Sequence, residues 1–458
     1  MSARKTILSM FHDGFFVRNI LRTDALPILL NAGVRLVLLV PKDKIDYYKK
    51  EFPDERVIFD VAPNIRGKLI ERFFNTLERF SIHTNTIYMI IRSEFARSGN
   101  VFFPKRLAVF CFKICLWAIG YFKLWRMAVR GLYRAFPSGE FGVFFKKYNP
   151  DLVFLPYMMF SDYALLKEAK KEGIKTLGMT LSWDNLYSKT FLLTHPDYLI
   201  VQTDIIANQV REMGDYNGGL SVAGIPQYDF HFKKTGIVSR DEFMRSIGAD
   251  PQKKTILYAF SGKQGMHLDF EILSMLVRAS KKGKFIEPIE IIARPYPRSD
   301  FPKEKFEHLK REFDILGESS TAHIGTGSAD WEFDEHSIAF LENSLAHADI
   351  VITMYSTFFI EAAIYGKPLV GVAFDGEKER SYWDSAKRFF EWDHLRDIKP
   401  LGGIWLTKSK EELVEAVNVY LKNPDFMKEG REKIVQRQVQ FVDGLSGQRV
   451  AEVILNIL

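Results

Sequence analysis

Short apolar runs that end in polar, glycine or proline turns alternate with helical patterns along most of this chain. The run "KTILSMF" is followed by the turn "HDG", the helical pattern "ILRTDALPILLNAG" and a second run, "VRLVLLVP". This strand–turn–helix–strand order is how a parallel α/β sheet begins. The alternation restarts after a polar stretch near residue 235, and 458 residues exceed what one core usually supports. We therefore predict an α/β protein with two sheet-containing domains, 1–235 and 236–435, and a closing segment at 436–458.

The composition excludes several classes of protein. The chain has only two cysteines, Cys111 and Cys115, so it has no disulfide framework, and we expect both to be packing residues. The N-terminal apolar run is too short for a signal peptide. No stretch reaches the roughly 18 to 20 uninterrupted apolar residues of a membrane-spanning helix. These features predict a protein of the reducing cytoplasm.

Charge is distributed unevenly. Residues 1–235 carry a net charge of +11, and residues 236–458 carry −5. Within the basic, aromatic segment 64–148, residues 101–135 contain seven Lys or Arg and no acid. This pattern is typical of a helix lying on an anionic membrane surface. The cations predicted to reach headgroups are Lys105, Arg106, Lys113, Lys123, Arg126 and Arg130. The alternative is a long core helix whose Lys and Arg side chains extend to solvent.

The stretch "DIVITMYSTFFIEAAIYGKPLVGV", residues 349–372, predicts a strand, a polar turn, a helix and a second strand. Ser356 and Thr357 fall at the start of that helix, and Glu361 lies about one turn further on. The free N–H groups of a helix start favour a phosphate, and the two hydroxyls cap the helix or donate to that phosphate. Glu361 is near enough to accept hydrogen bonds from a ribose or sugar. The alternative is a plain helix cap with a Glu facing solvent.

Two further strands of the second domain end in turns with chemically useful side chains. "YAFSGKQGMH" contains Ser261, Gly262 and Lys263, and "IIARPYPRSD" contains Arg294 and Tyr296. The glycine allows close backbone approach, the cations suit a diphosphate, and a tyrosine ring stacks on a base. The carboxyl ends of parallel strands share one sheet edge, where α/β proteins bind ligands. Although neither glycine-rich nucleotide fingerprint is present, the combination predicts a nucleotide site.

The corresponding edge of the first domain carries candidate acceptor and catalytic groups. His12 and Asp13 directly follow the first strand, and either side chain suits a general base. "SWDNLYSK" and "LPYMMFSD" follow other strands. The predicted sugar-binding side chains there are Trp183, Asp184, Asn185 and Tyr157. The alternative for each is local turn capping, since Asp and Asn favour turns.

Two Rossmann-like halves with these motifs resemble the GT-B glycosyltransferase fold. The 349–372 stretch, "GIPQYDF" (224–230), "SWDNLYSK" and the closing "DGLSGQR" (443–449) are similar to a bacterial group that contains CDP-glycerol glycerophosphotransferases and related surface-polysaccharide transferases. The resemblance implies two domains facing a cleft and a final helix that crosses back to the first domain. It also implies phosphate and ribose contacts of the donor at Ser356, Thr357 and Glu361. Further donor contacts are implied around Ser261 and Gly262 and around Arg294.

One departure from that group bears on the substrate. The group commonly has His where this chain has Tyr296, and this difference favours transfer of a sugar over transfer of glycerophosphate. We therefore predict an inverting glycosyltransferase of cell-envelope polysaccharide biosynthesis, peripheral on the inner membrane face. Its donor is a nucleotide-activated sugar, and its acceptor is lipid-linked or a polysaccharide. Alternatives are a CDP-glycerol glycerophosphotransferase, a UDP-sugar 2-epimerase and a non-catalytic membrane-binding scaffold.

No metal or other cofactor is expected. The sequence has neither a Cys/His cluster nor an Asp-x-Asp triplet, the patterns that would indicate a metal site. In the predicted mechanism the base is Asp13, with His12 as the second choice, and Arg294 with the helix start near Ser356 stabilises the leaving diphosphate. A nucleic-acid partner is not expected.

Overall fold

The computed structural model describes residues 4–65, 68–159, 162–262, 264–296, 301–313, 315–317, 322–323 and 331–458. The chain divides into two compact units. The N-terminal unit comprises Met1–Asp229 and Asp443–Leu458, and the C-terminal unit comprises Phe230–His323 and Gly327–Val442. Each is described by itself below.

Parallel strands form the centre of both units. The strands are β1 Thr6–Met10, β2 Arg35–Val40, β3 Val57–Val61, β4 Leu152–Leu155, β5 Lys175–Met179, β6 Tyr198–Val201, β7 Gly219–Val222, β8 Lys254–Ala259, β9 Ile289–Arg294, β10 Ala322–His323, β11 Trp331–Glu332, β12 Ile350–Thr353, β13 Leu369–Val372 and β14 Trp405–Thr407. The central strands are buried along almost their whole length, as expected of parallel strands covered on both faces.

Helices cover these strands. They are α1 Gly14–Phe16, α2 Ala25–Asn31, α3 Ile45–Glu51, α4 Leu69–Phe80, α5 Asn85–Arg97, α6 Phe103–Ile119, α7 Lys123–Ala135, α8 Gly142–Tyr148, α9 Asp162–Lys171, α10 Asp204–Glu212, α11 Asp229–Lys233, α12 Arg240–Ser246, α13 Met266–Lys281, α14 Lys303–Phe313, α15 Glu335–His347, α16 Phe358–Ile364, α17 Asp393–Ile398, α18 Lys410–Lys422, α19 Lys428–Gln438 and α20 Ser446–Ile457. The remaining short segments are π-helical at Val17–Leu21 and Asn185–Lys189, and 3-10 at Lys42–Lys44, Pro226–Tyr228, Tyr382–Asp384, Ala386–Glu391 and Lys399–Leu401.

The sheet of the N-terminal unit has seven strands in the order β3-β2-β1-β4-β5-β6-β7. Strand β1 pairs in parallel with both β2 and β4, so the strand order reverses between β1 and β4. In open parallel sheets, ligands bind at the carboxyl ends of strands where the order reverses in this way. The C-terminal unit has a five-stranded parallel sheet in the order β14-β13-β12-β8-β9, and β10 and β11 form a separate antiparallel pair. The predicted α/β class with two Rossmann-like sheets is confirmed.

Helix α20 belongs to the N-terminal unit. Its Val450, Ala451 and Ile454 are fully buried in the same core cluster as β1, β2 and β4. The Asp229 carboxylate accepts hydrogen bonds from the backbone N–H groups of Ser446 (3.0 Å) and Gly447 (2.7 Å). Negative charge at a helix N-terminus is favourable, so Asp229 fixes the start of α20. The motifs "GIPQYDF" and "DGLSGQR" thus meet in one contact. The predicted closing segment 436–458 is not one helix, because α19 ends at Gln438 and α20 begins at Ser446.

Residues 101–135 of the basic aromatic segment form two helices, α6 and α7, that bend by 109° where they join. Within the described residues, neither helix by itself has the length and apolar character needed to cross a membrane, although the bent pair together would. The bend lies against α4, because Trp125 Nε1 donates to Ser81 Oγ at 2.9 Å. A Cβ on Gly120 would lie 1.9 Å from the Ser81 carbonyl oxygen, so the bend requires glycine there.

Two of the cations predicted to contact headgroups lie in the interior instead. Arg130 is buried and donates to the carbonyl oxygens of Phe191, Leu192 and Gly214 and to the Asp215 carboxylate. Arg126 donates twice to Asp215, with both distances 2.8 Å. The prediction for these two residues was wrong, because Asp215, distant in sequence, holds both guanidinium groups.

The remaining face of α6 and α7 is unusually apolar and exposed. Phe102 is 75% exposed, Leu124 is 78% exposed and Tyr121 is 66% exposed. Cys111 and Cys115 are also exposed free thiols, so the prediction that they pack in the interior was wrong. Exposed apolar patches of this kind mark contact surfaces for partners or membranes.

The other predicted cations of this segment lie at or near the surface. Lys105 and Lys123 are exposed, and Arg106 is half-buried. Lys113 is also half-buried, and it donates to Glu94 at 2.6 Å. Its charge is therefore already paired within the unit.

Candidate functional site

Three turns that follow neighbouring strands of the C-terminal unit come together. The turns follow β12, β8 and β9, which are adjacent in the sheet. Tyr355, after β12, donates its hydroxyl to the carbonyl oxygen of Gly262, after β8, at 3.0 Å. A Cβ on Gly262 would lie 3.8 Å from Tyr296 Cζ, after β9. Arg294, at the end of β9, places its guanidinium carbon 5.2 Å from the centre of the Phe358 ring in α16. One sheet edge therefore presents a cation, hydroxyls, aromatic rings and a helix start together.

The turn after β8 is held by a buried carboxylate that sequence reasoning did not identify. Asp269 in α13 is fully buried and accepts hydrogen bonds from the Tyr258 hydroxyl and from both the N–H and hydroxyl of Ser261. Burial raises the pKa of Asp269 to about 7, even though the three donors favour its charged form. Ser261 is itself fully buried. Its hydroxyl therefore fixes the turn, and the structure does not offer it as a direct contact for a ligand.

Gly265 closes the same turn against two of these side chains. A Cβ at this position would lie 2.7 Å from Ser261 Oγ and 2.9 Å from a Tyr355 ring carbon. Only glycine fits so close an approach. The Tyr355 ring also stacks on Phe389, with ring centres 3.8 Å apart. Tyr355 is the residue that joins the turns, and its position directly before Ser356 was the available sequence signal. Lys263, also predicted in this turn, lies outside the described residues.

The start of α16 carries the predicted hydroxyls. Ser356 Oγ accepts a hydrogen bond from the Phe358 N–H at 3.1 Å, so it caps the helix as the alternative prediction stated. Both Ser356 and Thr357 are half-buried. The next N–H groups of α16, those of Phe359 and Ile360, donate to the carbonyl oxygens of Ser356 and Thr357. The two hydroxyls are therefore the groups that the start of α16 offers to a ligand.

Glu361 does not face solvent. It is 4% exposed, and its carboxylate lies 3.5 Å from His231 Nε2. The other ring nitrogen of His231 lies 3.2 Å from the Tyr365 hydroxyl, and this histidine is fully buried. The sequence contained no spacing signal for His231. Glu361 therefore has a structural partner, whatever further contact a ligand makes with it.

The corresponding edge of the N-terminal unit holds His12 and Asp13 at the strand-order reversal. Asp13 Oδ1 accepts hydrogen bonds from the Tyr157 hydroxyl at 2.9 Å and from the Phe15 N–H at 3.3 Å. Burial, followed by the charge of Asp13, raises the pKa of Tyr157 well above its usual value, so Tyr157 stays a proton donor. The fully buried Lys44 donates to the His12 carbonyl oxygen at 3.0 Å. The half-buried Asp13 is thus held in a fixed orientation.

The predicted sugar-binding surface of this unit does not form. Tyr157 and Trp183 are 4% and 8% exposed, and Asn185 is 1% exposed. Asn185 accepts from the Ser182 N–H at 2.9 Å, and Asp184 pairs with Lys189 at 2.8 Å. The alternative of local turn capping therefore describes Asp184 and Asn185. Tyr157 orients Asp13, and the buried Trp183 ring offers no open face.

Among the described residues, no group of three or more His, Cys, Asp and Glu side chains is arranged to hold a metal ion.

Comparisons with known proteins agree with this architecture. Residues 333–456 match the family described as CDP-Glycerol:Poly(glycerophosphate) glycerophosphotransferase. A search of curated protein sequences gave no significant match. The structure is similar to UDP-GlcNAc 2-epimerase from Methanocaldococcus jannaschii, with TM-score 0.52, 13% identity and coverage of 99% of this chain and 100% of that one.

A second solved structure gives the same result. It is UDP-GlcNAc 2-epimerase from Neisseria meningitidis bound to UDP-GlcNAc, with TM-score 0.53, 12% identity and coverage of 98% of this chain and 100% of that one. At these identities the likeness shows the fold, and the family match covers the part of the chain that contains α16. The chain therefore has the GT-B fold, and its residues 333–456 are similar to the glycerophosphotransferase family.

Proposed function

We propose that this protein is a glycosyltransferase that takes a nucleotide-activated sugar as donor and transfers the sugar to a lipid-linked or polysaccharide acceptor. The observation that supports this most is the convergence of three strand-end turns in the C-terminal unit, linked by the Tyr355–Gly262 hydrogen bond. A nucleotide diphosphate requires a cation, hydroxyl donors and a flat apolar surface, and this edge supplies each of them.

The groups of the C-terminal unit have distinct roles in this proposal. Arg294 and the hydroxyls of Ser356 and Thr357 receive the diphosphate. These donors stabilise the negative charge that grows on the diphosphate as the sugar–phosphate bond breaks. Tyr296 supplies a ring for the base. Asp269 acts indirectly, because its carboxylate holds the turn in which Gly262 lies.

Asp13 is the proposed general base of the N-terminal unit. It accepts the proton of the acceptor hydroxyl as that oxygen attacks the sugar, a direct displacement that inverts the anomeric centre. Tyr157 is a positioning residue, because its hydroxyl orients the carboxylate at 2.9 Å. No step of this mechanism calls for a metal ion, since the cation and the helix start carry the charge on the diphosphate.

The match at residues 333–456 favours a second candidate, transfer of glycerophosphate from CDP-glycerol. Both reactions would place a nucleotide at the same edge of the C-terminal unit. They differ in the bond that breaks, which is the sugar–phosphate bond in one case and the diphosphate bond in the other.

We propose further that the enzyme works as a peripheral protein on the inner membrane face. The exposed apolar side chains of α6 and α7, together with Lys105, Arg106 and Lys123, support this. An anionic lipid surface attracts such a combination through both burial of apolar groups and charge. Lys113 contributes less, because Glu94 already neutralises it.

A donor panel tests the proposed reaction. Purified protein is incubated with UDP-sugars, CMP-sugars or CDP-glycerol, with and without a polyprenyl-linked acceptor, and nucleotide release is measured. We expect acceptor-dependent release from a nucleotide sugar. Release of CMP from CDP-glycerol would establish the second candidate, and sugar isomerisation without an acceptor would indicate an epimerase. Lack of turnover with every donor would contradict the enzyme proposal and favour a scaffold.

A further inference from the structure

A cavity opens between α5 and α6 of the N-terminal unit, away from both strand edges described above. Its volume is about 210 Å³. Its apolar walls come from Ile91 and Phe95 on α5, Val109 and Phe110 on α6, and Val101 between the helices. An apolar cavity of roughly 150 Å³ is already large enough to bind benzene. This cavity therefore has room for a hydrocarbon group of comparable or larger size.

Cations surround this apolar space. Lys105, Arg106 and Lys113 line it together with a single acid, Glu94. Because Lys113 donates to Glu94 at 2.6 Å, those two charges offset each other. Lys105 and Arg106 remain as a net positive charge at an apolar opening, which favours an anionic group on the occupant.

Arg106 is positioned to bind an anionic group of the occupant. Its guanidinium carbon lies 4.6 Å from the centre of the Phe95 ring and 5.3 Å from that of Phe103. Its Nε is buried and has no hydrogen-bond partner among the described residues. Buried N–H donors in proteins almost always have an acceptor, so this side chain lacks an oxygen that a ligand would supply.

We propose that this cavity binds one hydrocarbon chain of a phosphate-bearing lipid, with the lipid phosphate on Arg106 and Lys105. The chain enters the apolar space while the phosphate accepts from the two cations at its opening. Neighbouring side chains support this occupant, because Phe102 and Phe103 are exposed apolar groups on the same surface. The inference deepens the membrane part of the proposed function and does not depend on the identity of the sugar donor.

Calorimetric titration of the full-length protein with decyl phosphate, below its micelle concentration, tests the site. We expect saturable binding of one molecule per chain, while inorganic phosphate and decyl maltoside bind at least tenfold more weakly. A tenfold difference corresponds to about 1.4 kcal/mol of binding free energy. Titrations with geranylgeranyl phosphate and with dihexanoyl phosphatidic acid distinguish a prenyl-linked acceptor from a membrane phospholipid as the source. Tighter binding of one of these two lipids than of the other supports the site and shows which kind of lipid occupies it.

Matched variants separate the cavity from the surrounding apolar surface. Val109→Trp fills the cavity, and because Val109 is 45% exposed the larger ring does not disturb the core. Leu107→Trp adds the same ring to the same helix at a position that does not line the cavity. We expect Val109→Trp to weaken decyl phosphate binding about tenfold or more and Leu107→Trp to leave it unchanged. Arg106→Gln should weaken it about tenfold, whereas Lys123→Gln should not.

Three results would overturn the proposal. The first is equal loss of binding in Val109→Trp and Leu107→Trp, which would mean unspecific partitioning onto α6. The second is tight binding of inorganic phosphate without a chain. The third is self-association of the lipid-free protein that Val109→Trp abolishes in sedimentation, which would make a second copy the occupant. None of these results would alter nucleotide binding by the C-terminal unit, so this proposal and the donor-site proposal fail separately.

Discussion

Asp13 lies just after the carboxyl end of β1, and hydrogen bonds from Tyr157 and the Phe15 N–H orient its carboxylate. Asp13→Asn keeps an oxygen for both hydrogen bonds but removes the basic group. We expect turnover to fall by about 100-fold or more, with donor affinity and melting temperature unchanged. Asp43→Asn, an exposed carboxylate in the same unit, is the control. Turnover that survives in Asp13→Asn would exclude this residue as the base.

Glu361 illustrates how burial changes a prediction. The sequence predicted that Glu361 contacts the ribose or sugar of the donor, or else faces solvent. Because the carboxylate is buried beside His231, its removal in Glu361→Ala leaves a buried polar partner, and we now expect a loss of about 1–3 kcal/mol in the free energy of unfolding. Urea denaturation measures this loss. Unchanged stability would show that the Glu361–His231 contact contributes nothing to the fold.

At single positions, sequence predicted residue chemistry better than side-chain placement. The turns after β8, β9 and β12 were found because Gly, Pro and Ser mark strand ends. The sequence could not show that the Ser261 hydroxyl donates to Asp269, or that Arg126 and Arg130 both pair with Asp215. Such partners lie far apart along the chain, and only the folded topology brings them together. The same limit explains why Trp183 was read as an exposed sugar-binding ring.

At the scale of elements, the bend between α6 and α7 depends on one close contact. Gly120→Ala would place a methyl group against the Ser81 carbonyl oxygen, and we expect it to lower the free energy of unfolding by about 1–3 kcal/mol. Gly131→Ala, within α7 and with no atom within 4 Å of its new Cβ, is the control and should stabilise by roughly 0.5–1 kcal/mol. Equal effects of both substitutions in thermal denaturation would mean that the bend is not tightly packed.

The buried Glu78 in helix α4 makes the free energy of unfolding depend on pH. Burial raises the pKa of Glu78 to about 7, although Thr190 and the Leu193 N–H donate to it. The folded protein therefore binds an additional proton between about pH 4.5 and 7, and its stability falls as pH rises through that window. Glu78→Gln keeps an acceptor oxygen but does not titrate, so the decline in melting temperature from pH 5 to pH 7 should become shallower.

Two controls make the Glu78 experiment specific. Glu94→Gln changes an exposed carboxylate and should leave the pH dependence as in the wild type. The melting temperature of Glu78→Gln should still fall somewhat with pH, because burial also raises the pKa of Asp269 and Glu342 to about 7. An undiminished slope in Glu78→Gln would show that Glu78 titrates normally.

Elements in the centre of each sheet were predictable, and elements at the edges were less so. Long apolar runs identified β1, β2, β8, β12 and β13, since parallel strands are buried on both faces. The edge strands β3 and β14 were not predicted, and β14 has only three residues. The break at Gly120 was also missed, because helix-forming residues continue on both sides of it.

At the scale of the whole molecule, we predict binding to anionic membranes through the N-terminal unit. Lys123→Gln combined with Arg134→Gln removes two exposed cations of α7, and each is worth about 1 kcal/mol near an anionic surface. Affinity for phosphatidylglycerol vesicles should fall roughly thirtyfold. Lys408→Gln with Lys410→Gln removes the same charge from the C-terminal unit and should have little effect. Equal losses would indicate attraction by net charge alone.

The central claim is that the converging turns of the C-terminal unit bind a nucleotide-activated donor. Calorimetric titration of UDP-, CMP- and CDP-linked donors against the wild type, Arg294→Gln and Arg278→Gln tests it most directly. Arg278 is the control, a half-exposed cation on α13 that pairs with Glu377. We predict that one donor class binds, that Arg294→Gln weakens it by about ten- to 100-fold, and that Arg278→Gln does not. No binding by any donor, or wild-type affinity in Arg294→Gln, would contradict the claim.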